Sequence, residues 1–248
     1  MAPKTRKSRT TFKLYLIRHG ISCANLARNL KVPDAALAAD LYTDPELTKE
    51  GRKRARALRP RLLQQIQKPF VAGASTLLRT QQTAHLILNP KRLYIIPHIA
   101  ELGRHSQEST ALAPALQEEL LKDAGDKRLV RDYTYMEEPV PEDKQLDAFK
   151  HWLGTHIRAI TNRGRKSLVL VSHYGFIHDL IKELTGLQVN EIVNCELVSL
   201  DVTLENGNAV LKNVQAIPYM PKEFRDWDIK VVGKGHGCRL PVKTRRRT

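Results

Sequence analysis

Short runs of aliphatic and aromatic residues recur along this chain and predict the strands of a sheet. Four of them lie at 12–17, 70–74, 93–96 and 167–172. The run at 167–172 contains no charged residue, which is typical of a strand that is covered on both faces. Turn-forming or polar residues follow each run, so each strand is expected to be short.

The segments between these strands carry apolar residues at helical spacing. They predict helices at about 49–59, 76–88, 112–122, 145–161 and 176–185. Thr48 and Ser75 are expected to cap the first two helices, because a side-chain oxygen at this position accepts a free backbone N–H. Pro60 is expected to break or kink the first helix, and Gly186 to close the last.

The order of these elements predicts the fold class. Strands that alternate with helices favour a mainly parallel sheet with helices on both faces. Residues 196–204 and 209–215 flank Asn206-Gly207, a dipeptide typical of a tight hairpin, and therefore predict an antiparallel edge. We expect one α/β domain of this architecture.

Composition fits a globular protein inside the cell. The chain has 248 residues, of which 42% are hydrophobic and 27% are charged. No stretch reaches the roughly 18 uninterrupted apolar residues of a membrane-spanning helix, and residues 1–12 lack the apolar core of a secretory signal. The three cysteines, Cys23, Cys195 and Cys238, form no C-x-x-C pair. We therefore expect a soluble cytoplasmic or nuclear protein with no signal peptide, no membrane contact and no structural disulfide.

Charge is distributed unevenly along the chain, whose formal net charge is +15. Residues 51–100 contain ten Lys or Arg and no acidic residue, whereas residues 101–150 contain twelve acidic and seven basic residues. The basic half is expected to attract anions, including phosphorylated molecules. Six cations on the first predicted helix equally fit a solvated helix face: Arg52, Lys53, Arg54, Arg56, Arg59 and Arg61.

The ends of the chain and the acidic segment predict the domain organisation. The folded domain is expected to span residues 12–218, with a cap inserted at about 105–150. A basic tail at 1–11 and a basic extension at 219–248 flank this domain. Both are candidates for nucleic-acid contact or for a nuclear address, although short clusters of Lys and Arg match such patterns by chance.

Four residues with reactive or anion-binding side chains each follow closely on the end of a predicted strand. They are His19, Arg79, Glu101 and His173, and Arg18 adjoins the first of them. The carboxyl ends of parallel strands meet at one edge of a sheet, where ligands bind. Guanidinium groups offer a planar fork of donors that takes two phosphate oxygens at once. The sequence therefore predicts a phosphate pocket at this edge.

Four motifs contain these residues and occur in a fixed order along the chain. They are Leu16-Ile17-Arg18-His19-Gly20 with Ser22 and Asn25, Leu47-Thr48 with Gly51 and Ala55, the segment from Ser75 to Ala84 around Arg79, and Val171-Ser172-His173 with Gly175. Together they resemble the motifs of the histidine phosphatase superfamily, which has the phosphoglycerate mutase-like fold. The resemblance spans roughly residues 12–216.

The resemblance implies a mechanism. His19 would be the nucleophile that attacks phosphorus and forms a phosphohistidine, with no metal or other cofactor. Arg18, Arg79 and His173 would bind the phosphoryl oxygens and stabilise their charge in the transition state. Glu101 would protonate the leaving oxygen and then activate the water that hydrolyses the intermediate.

Two further residues of the first motif are candidates for substrate binding. Asn25 could contact the phosphate through its amide and Ser22 through its hydroxyl, or both could bond to backbone groups of their turn. Tyr174 stands where a smaller residue is common in the family, so it is expected to line the pocket and limit the size of the substrate.

The sequence departs from the mutase branch of the family after Glu101. Mutases continue with a Tyr- and Gly-rich segment, whereas this chain continues with residues 102–106, LGRHS. We therefore expect a metal-independent phosphomonoesterase that acts on a phosphorylated small molecule or a phosphoprotein. Two alternatives remain: phosphoryl transfer of the mutase type, and a non-catalytic module that binds phosphate or nucleic acid.

Overall fold

A mixed sheet forms the centre of the fold. The computed structural model describes residues 11–29, 42–101, 109–123, 129–161, 167–189, 191–205, 208–225 and 238. The described residues form seven strands, β1 (Thr11–Arg18), β2 (Phe70–Ala74), β3 (Leu93–Ile95), β4 (Arg131–Asp132), β5 (Ser167–Ser172), β6 (Leu197–Glu205) and β7 (Asn208–Ile217). Their order across the sheet is β4-β3-β2-β5-β1-β6-β7. All neighbours from β4 to β1 are parallel, and β6 and β7 add an antiparallel hairpin, as the sequence predicts.

Helices cover both faces of this sheet. They are α1 (Cys23–Asn29), α2 (Lys49–Gln65), α3 (Leu78–Leu88), α4 (Pro114–Asp123), α5 (Gln145–Thr161), α6 (Tyr174–Thr185) and α7 (Lys222–Arg225), with 3₁₀ turns at Pro97–Ile99 and Glu142–Lys144. Successive side chains of a strand point to opposite faces. Leu16 of β1 therefore packs into the core that α5 and α6 form, and Ile17 into the core that α2 and α3 form. The predicted α/β fold is confirmed.

Strand register places the ends of β1, β2 and β5 side by side. Arg18 pairs with Ser172, and Ala74 pairs with Val171. The backbone continues this alignment past the strands, because the N–H of His19 donates to the carbonyl of Ser172 at 2.9 Å. Residues that directly follow these three strands must therefore be neighbours in space.

Two predicted helix boundaries differ from the structure. Thr48 caps α2 as expected, accepting the N–H of Gly51 at 2.9 Å, but the helix runs through Pro60 to Gln65. Proline removes one hydrogen bond, and the buried residues Leu58 and Leu62 on either side hold the helix together. Ser75 does not cap α3, which begins at Leu78 after Leu77 as its N-cap. The turn Asn206-Gly207 lies outside the described residues.

The expectation that the chain has no structural disulfide was wrong. Cys23, in α1, is bonded to Cys238 across a sequence separation of 215 residues. Spacing along the chain indicates only local cysteine motifs, so it carried no information about a pair brought together by the fold. Cys195 is free and buried. Because one pair is formed, the odd number of cysteines no longer argues for a reducing compartment, and the cellular location stays a prediction.

The boundaries of the domain, the cap and the tails also stay predictions. Residues 1–10 and 226–248, apart from Cys238, lie outside the described part of the chain. Within the described part, no helix has both the length and the apolar character needed to span a bilayer.

Candidate active site

The carboxyl edge of the sheet brings together His19, Arg79, Glu101 and His173. The two imidazole rings have their centroids 5.1 Å apart. Nε of Arg79 lies 3.3 Å from Nε2 of His19, and Nη2 of Arg79 lies 3.8 Å from Oε2 of Glu101. Side chains that are up to 154 residues apart in the sequence thus share one site.

Hydrogen bonds fix the tautomer of His19. Its Nδ1 lies 2.7 Å from the carbonyl oxygen of Gly20, which can only accept, so Nδ1 carries the proton. Nε of Arg79 can only donate, so the Nε2 atom that it approaches carries the lone pair. Burial, followed by the positive charges of Arg79 and its neighbours, lowers the pKa of His19 well below its ordinary value. The ring is therefore neutral, and its lone pair lies on Nε2, where it accepts from Arg79.

Ser75 orients the second histidine. Its Oγ lies 2.7 Å from Nε2 of His173 and 2.9 Å from Oγ1 of Thr80. The carboxylate of Glu101 can only accept, and its Oε2 lies 3.4 Å from Nδ1 of His173, an electrostatic contact longer than a good hydrogen bond. Nδ1 of His173 therefore carries the ring proton, and Nε2 accepts the hydroxyl of Ser75.

Glu101 is ionised and His173 is neutral in the free site. Burial alone would raise the pKa of Glu101, but His173, Arg79 and the N–H of Gly175 outweigh it and lower this pKa to about 2. That N–H belongs to the first turn of α6 and donates to Oε1 at 2.9 Å. For His173, burial and the charge of Arg79 outweigh the attraction of Glu101 and lower the pKa to about 4.

Arg18 adds a second guanidinium group. Its Nη1 donates to the carbonyl oxygen of Ile192 at 2.5 Å, and its Cζ lies 5.5 Å from the ring centroid of Tyr174. Its Nε is buried and makes no hydrogen bond to the residues that the structure describes. Burial lowers the pKa of Arg18, the charge of Glu101 opposes this, and the guanidinium stays charged.

The histidine phosphatase superfamily (branch 1) has a family model that matches residues 14–215. The chain belongs to this superfamily. The resemblance that the four motifs indicated is thereby confirmed.

Solved structures with the same fold include phosphatases. An ecdysone phosphate phosphatase from Bombix mori, solved with tungstate, is 17% identical with a TM-score of 0.51, covering 85% of this chain and 94% of its own. A mycobacterial hydrolase is 18% identical with a TM-score of 0.50, and the match covers 84% of this chain and 98% of the hydrolase chain. A phosphoserine phosphatase from Entamoeba histolytica is 19% identical with a TM-score of 0.47, and the match covers 84% of this chain and 98% of the phosphatase chain. The two structures with TM-scores of 0.50 and 0.51 show a shared fold and, at these identities, nothing further. No curated protein sequence matches the chain significantly.

Ser22 and Asn25 are both engaged at the start of α1. The N–H of Ser22 donates to Oδ1 of Asn25 at 3.2 Å, and the N–H of Asn25 donates to Oγ of Ser22 at 3.3 Å. This reciprocal pair satisfies backbone donors at a helix start, one of the two roles that the sequence allowed. Contact of either residue with a phosphate stays a prediction.

Two polar residues without a predicted role support the superfamily's histidine motif. Oγ1 of Thr83 accepts the N–H of Gly20 at 2.9 Å, and Nδ2 of Asn194 donates to the carbonyl of His19 at 2.8 Å. Thr83 lies within the motif around Arg79, so this motif could have indicated its role. Asn194 lies 175 residues after His19, in a loop outside the four motifs, and nothing in the sequence indicated its role.

Asp44 links the acidic segment to the helix that carries the second arginine. Its buried carboxylate accepts the N–H of Leu78 at 2.7 Å, the N–H of Leu112 at 3.0 Å and Nε2 of Gln117 at 2.5 Å. Burial raises the pKa of Asp44, and these hydrogen bonds oppose the change. Asp44 is not among the residues to which the sequence assigned a role.

The site could also be read as a metal centre. Donor atoms of His19, Glu101 and His173 lie within 4.8 Å of one another, a spacing that could hold a metal ion. However, the guanidinium group of Arg79 lies 3.3 Å from one of these donors and 3.8 Å from another, so a cation there would be repelled. The charges of this superfamily site favour an anion.

Proposed function

We propose that this protein hydrolyses phosphomonoesters through a phosphohistidine formed on His19. The observation that carries the proposal is the orientation of this ring, whose Nδ1 is held by the carbonyl of Gly20 at 2.7 Å. The lone pair of Nε2 is thereby directed at the guanidinium of Arg79, where the oxygens of a phosphoryl group would be bound. A neutral imidazole held in this way is a competent nucleophile.

In the first step, Nε2 of His19 forms a bond to phosphorus and the ester P–O bond breaks. Arg18, Arg79 and Nδ1–H of His173 neutralise the phosphoryl oxygens. The leaving oxygen needs a proton, which the ionised Glu101 lacks at rest. A phosphomonoester monoanion supplies that proton, because its charge raises the pKa of the adjacent carboxyl and allows transfer through Glu101 to the leaving oxygen.

In the second step, water replaces the alcohol. Glu101, again a carboxylate, accepts a proton from the water whose oxygen attacks phosphorus. The P–N bond breaks, its electron pair returns to Nε2 of His19, and phosphate leaves. The residues required are the same in both steps.

Turnover of p-nitrophenyl phosphate in EDTA tests the proposal. We expect hydrolysis by the wild type and by His151→Ala, an exposed control, and loss of at least 10³-fold in His19→Ala. Rapid acid-free quenching of labelled substrate should trap phosphate on His19 only. Activity that EDTA abolishes, or that survives in His19→Ala, would overturn the mechanism.

Two outcomes would favour the alternatives instead. Transfer of phosphate between positions of phosphoglycerate, faster than its release into water, indicates a mutase. Tight binding of phosphate without turnover of any phosphomonoester indicates a non-catalytic module. The substrate, a phosphorylated small molecule or a phosphoprotein, is to be found by comparing turnover across a panel of both classes.

A further inference from the structure

A row of cations lies on the exposed face of α2. Lys49, Lys53 and Arg56 are exposed and recur at the i, i+4 and i+7 positions of one helix face. Arg59 and Arg61 flank this row. We call these five residues the α2 stripe. At a rise of 1.5 Å per residue the stripe is about 18 Å long.

The structure separates these residues from two other cations of the same helix. Arg52 is only 9% exposed. Arg54 is paired with Glu50 at 2.8 Å, and its Cζ lies 5.3 Å from the ring centroid of Phe224. The residues of the α2 stripe, in contrast, form no ion pair with the part of the chain that the structure describes. Lys49, Lys53, Arg56 and Arg61 are exposed, Arg59 is half-buried, and no acidic side chain of the described residues neutralises them.

The surroundings of the α2 stripe add to its positive field. No acidic residue occurs between residues 51 and 100, which include the whole of α3, the helix packed beside α2. The nearest acidic residue in the sequence, Glu50, is held by Arg54. The one acidic side chain that these two helices contribute is therefore Glu50, whose charge Arg54 balances, and the field of this face is positive.

We propose that the α2 stripe binds the sugar-phosphate backbone of a nucleic-acid duplex without reading its bases. A duplex carries one charge per about 1.7 Å of its axis with both strands counted, so a duplex segment as long as the stripe carries roughly ten phosphate charges. Three of its five residues are arginines, whose planar donors suit phosphate oxygens. The α2 stripe shares no residue with the anion pocket that His19 and Arg79 line, and the proposal does not depend on the proposed hydrolysis.

Two other classes of partner fit the α2 stripe less well. A membrane surface requires apolar side chains that enter the lipid, but the apolar residues of α2, among them Ala55, Leu58 and Leu62, are buried in the core. A protein interface is usually centred on aromatic or aliphatic anchors, and the stripe consists of charged side chains alone.

Binding of a labelled 20-bp duplex of arbitrary sequence, measured by anisotropy over a range of salt concentrations, tests this proposal. We expect the affinity to fall with salt. Lys53→Gln/Arg56→Gln should weaken binding at least tenfold and reduce the slope of log K against log salt by about 2, since each phosphate contact contributes about 0.9. The melting temperature of this variant should match that of the wild type, because both side chains are exposed.

A charge-matched control keeps the test specific. Arg158→Gln/Lys182→Gln removes two exposed cations from α5 and α6, on the opposite face of the sheet, and should leave affinity unchanged. The proposal is overturned if the α2 variant binds like the wild type or if both variants weaken binding equally. It is also overturned if neutralising Lys243, Arg245, Arg246 and Arg247 alone abolishes binding, or if polyglutamate binds as tightly as the duplex.

Discussion

The hydroxyl of Ser75 donates to Nε2 of His173 at 2.7 Å, because Nδ1 of the same ring faces the carboxylate of Glu101, which can only accept. With Nε2 as the acceptor, Nδ1–H points towards Glu101 and the anion pocket. Ser75 is thus a positioning residue that acts through His173. Without it, the other tautomer would place a lone pair against a carboxylate and the oxygens of a bound phosphoryl group.

Ser75→Ala should therefore lower kcat/KM for p-nitrophenyl phosphate by about 10-fold to 100-fold, the usual range for supporting residues. Loss of the donor also removes a hydrogen bond that stabilises neutral His173, so its pKa should rise and the acid limb of the pH profile should move upwards. Ser167→Ala is the matched control, because Oγ of Ser167 donates to the carbonyl of Gln67 at the other end of β5. Equal effects of the two substitutions, or an unchanged acid limb in Ser75→Ala, would mean that Ser75 is merely structural.

Arg79 should stabilise the transition state through its positive charge and through the planar arrangement of its donors. We expect Arg79→Gln to lose about 10²-fold to 10³-fold in kcat, comparable with the removal of a donor that stabilises transition-state charge. Its loss should also raise the pKa of His19, since the charge of Arg79 helps to lower it. Arg79→Lys should keep much of the lowering of the His19 pKa but little of kcat. An ammonium group lacks the planar pair of donors with which a guanidinium binds two phosphate oxygens.

Titration of His19 by ¹⁵N NMR, together with steady-state kinetics, separates the two effects. Arg92→Gln serves as the control, since that side chain is 61% exposed and pairs with Asp132. If the pKa of His19 is the same in the wild type and Arg79→Gln, the electrostatic account of this site is incorrect.

The sequence predicted the fold and the meeting of four side chains for one reason. Both follow from short apolar runs, from helical spacing and from the rule that parallel strands end at one edge. His19 and His173 directly follow their strands, so their proximity required no knowledge of loops. The support from Asn194 and Asp44 could not be predicted, because it depends on how irregular segments far along the chain return to the edge. The same is true of the Cys23 to Cys238 disulfide.

Acid should destabilise the protein through three ionisable groups of the candidate active site, His19, His173 and Glu101. His19 and His173 have folded pKa values below 6.5, so the unfolded chain binds more protons as the pH falls. Stability is therefore lost below pH 6.5, and the contribution of His173 levels off near pH 4. The stabilisation due to Glu101, whose folded pKa is about 2, is present above 4.5 and is lost between 4.5 and 2.

Melting temperatures between pH 7 and pH 4 check this expectation. His173→Gln should have a flatter decline than the wild type, because it removes one of the groups that must take up a proton. His151→Gln, at an exposed position, should follow the wild type. A wild-type melting temperature that is constant over this range would contradict the burial of neutral histidines.

Asp44 should be among the more sensitive polar positions in the protein. Asp44→Asn replaces an oxygen acceptor with an NH₂ group, which then faces an N–H donor of Leu78, Leu112 or Gln117. One buried donor is left unsatisfied, at a cost of about 1–3 kcal/mol in the free energy of unfolding. Asp147→Asn, whose side chain is 85% exposed, should change this free energy by less than about 0.5 kcal/mol. Urea denaturation measures both, and equal effects would refute the role of the buried carboxylate.

The cysteines should differ sharply in their chemistry. In the native protein under non-reducing conditions, peptide mapping should recover Cys23 joined to Cys238. Cys195 should resist alkylation until the chain unfolds, because burial raises its pKa to about 12 and leaves little thiolate. Cys238→Ser should lower the free energy of unfolding by about 2–4 kcal/mol, since a cross-link over a long loop restricts the unfolded chain.

Reductant provides the control for the cysteine prediction. Dithiothreitol should lower the stability of the wild type to that of Cys238→Ser and should leave the variant unchanged, because the variant has no bond to reduce. Alkylation of Cys23 in the untreated native protein, or equal sensitivity of both proteins to reductant, would show that the bond does not form. In that case Cys23 would be a free thiol four residues after His19 in the sequence. Alkylation of this thiol should then change turnover, whereas the disulfide-bonded form should not be alkylated.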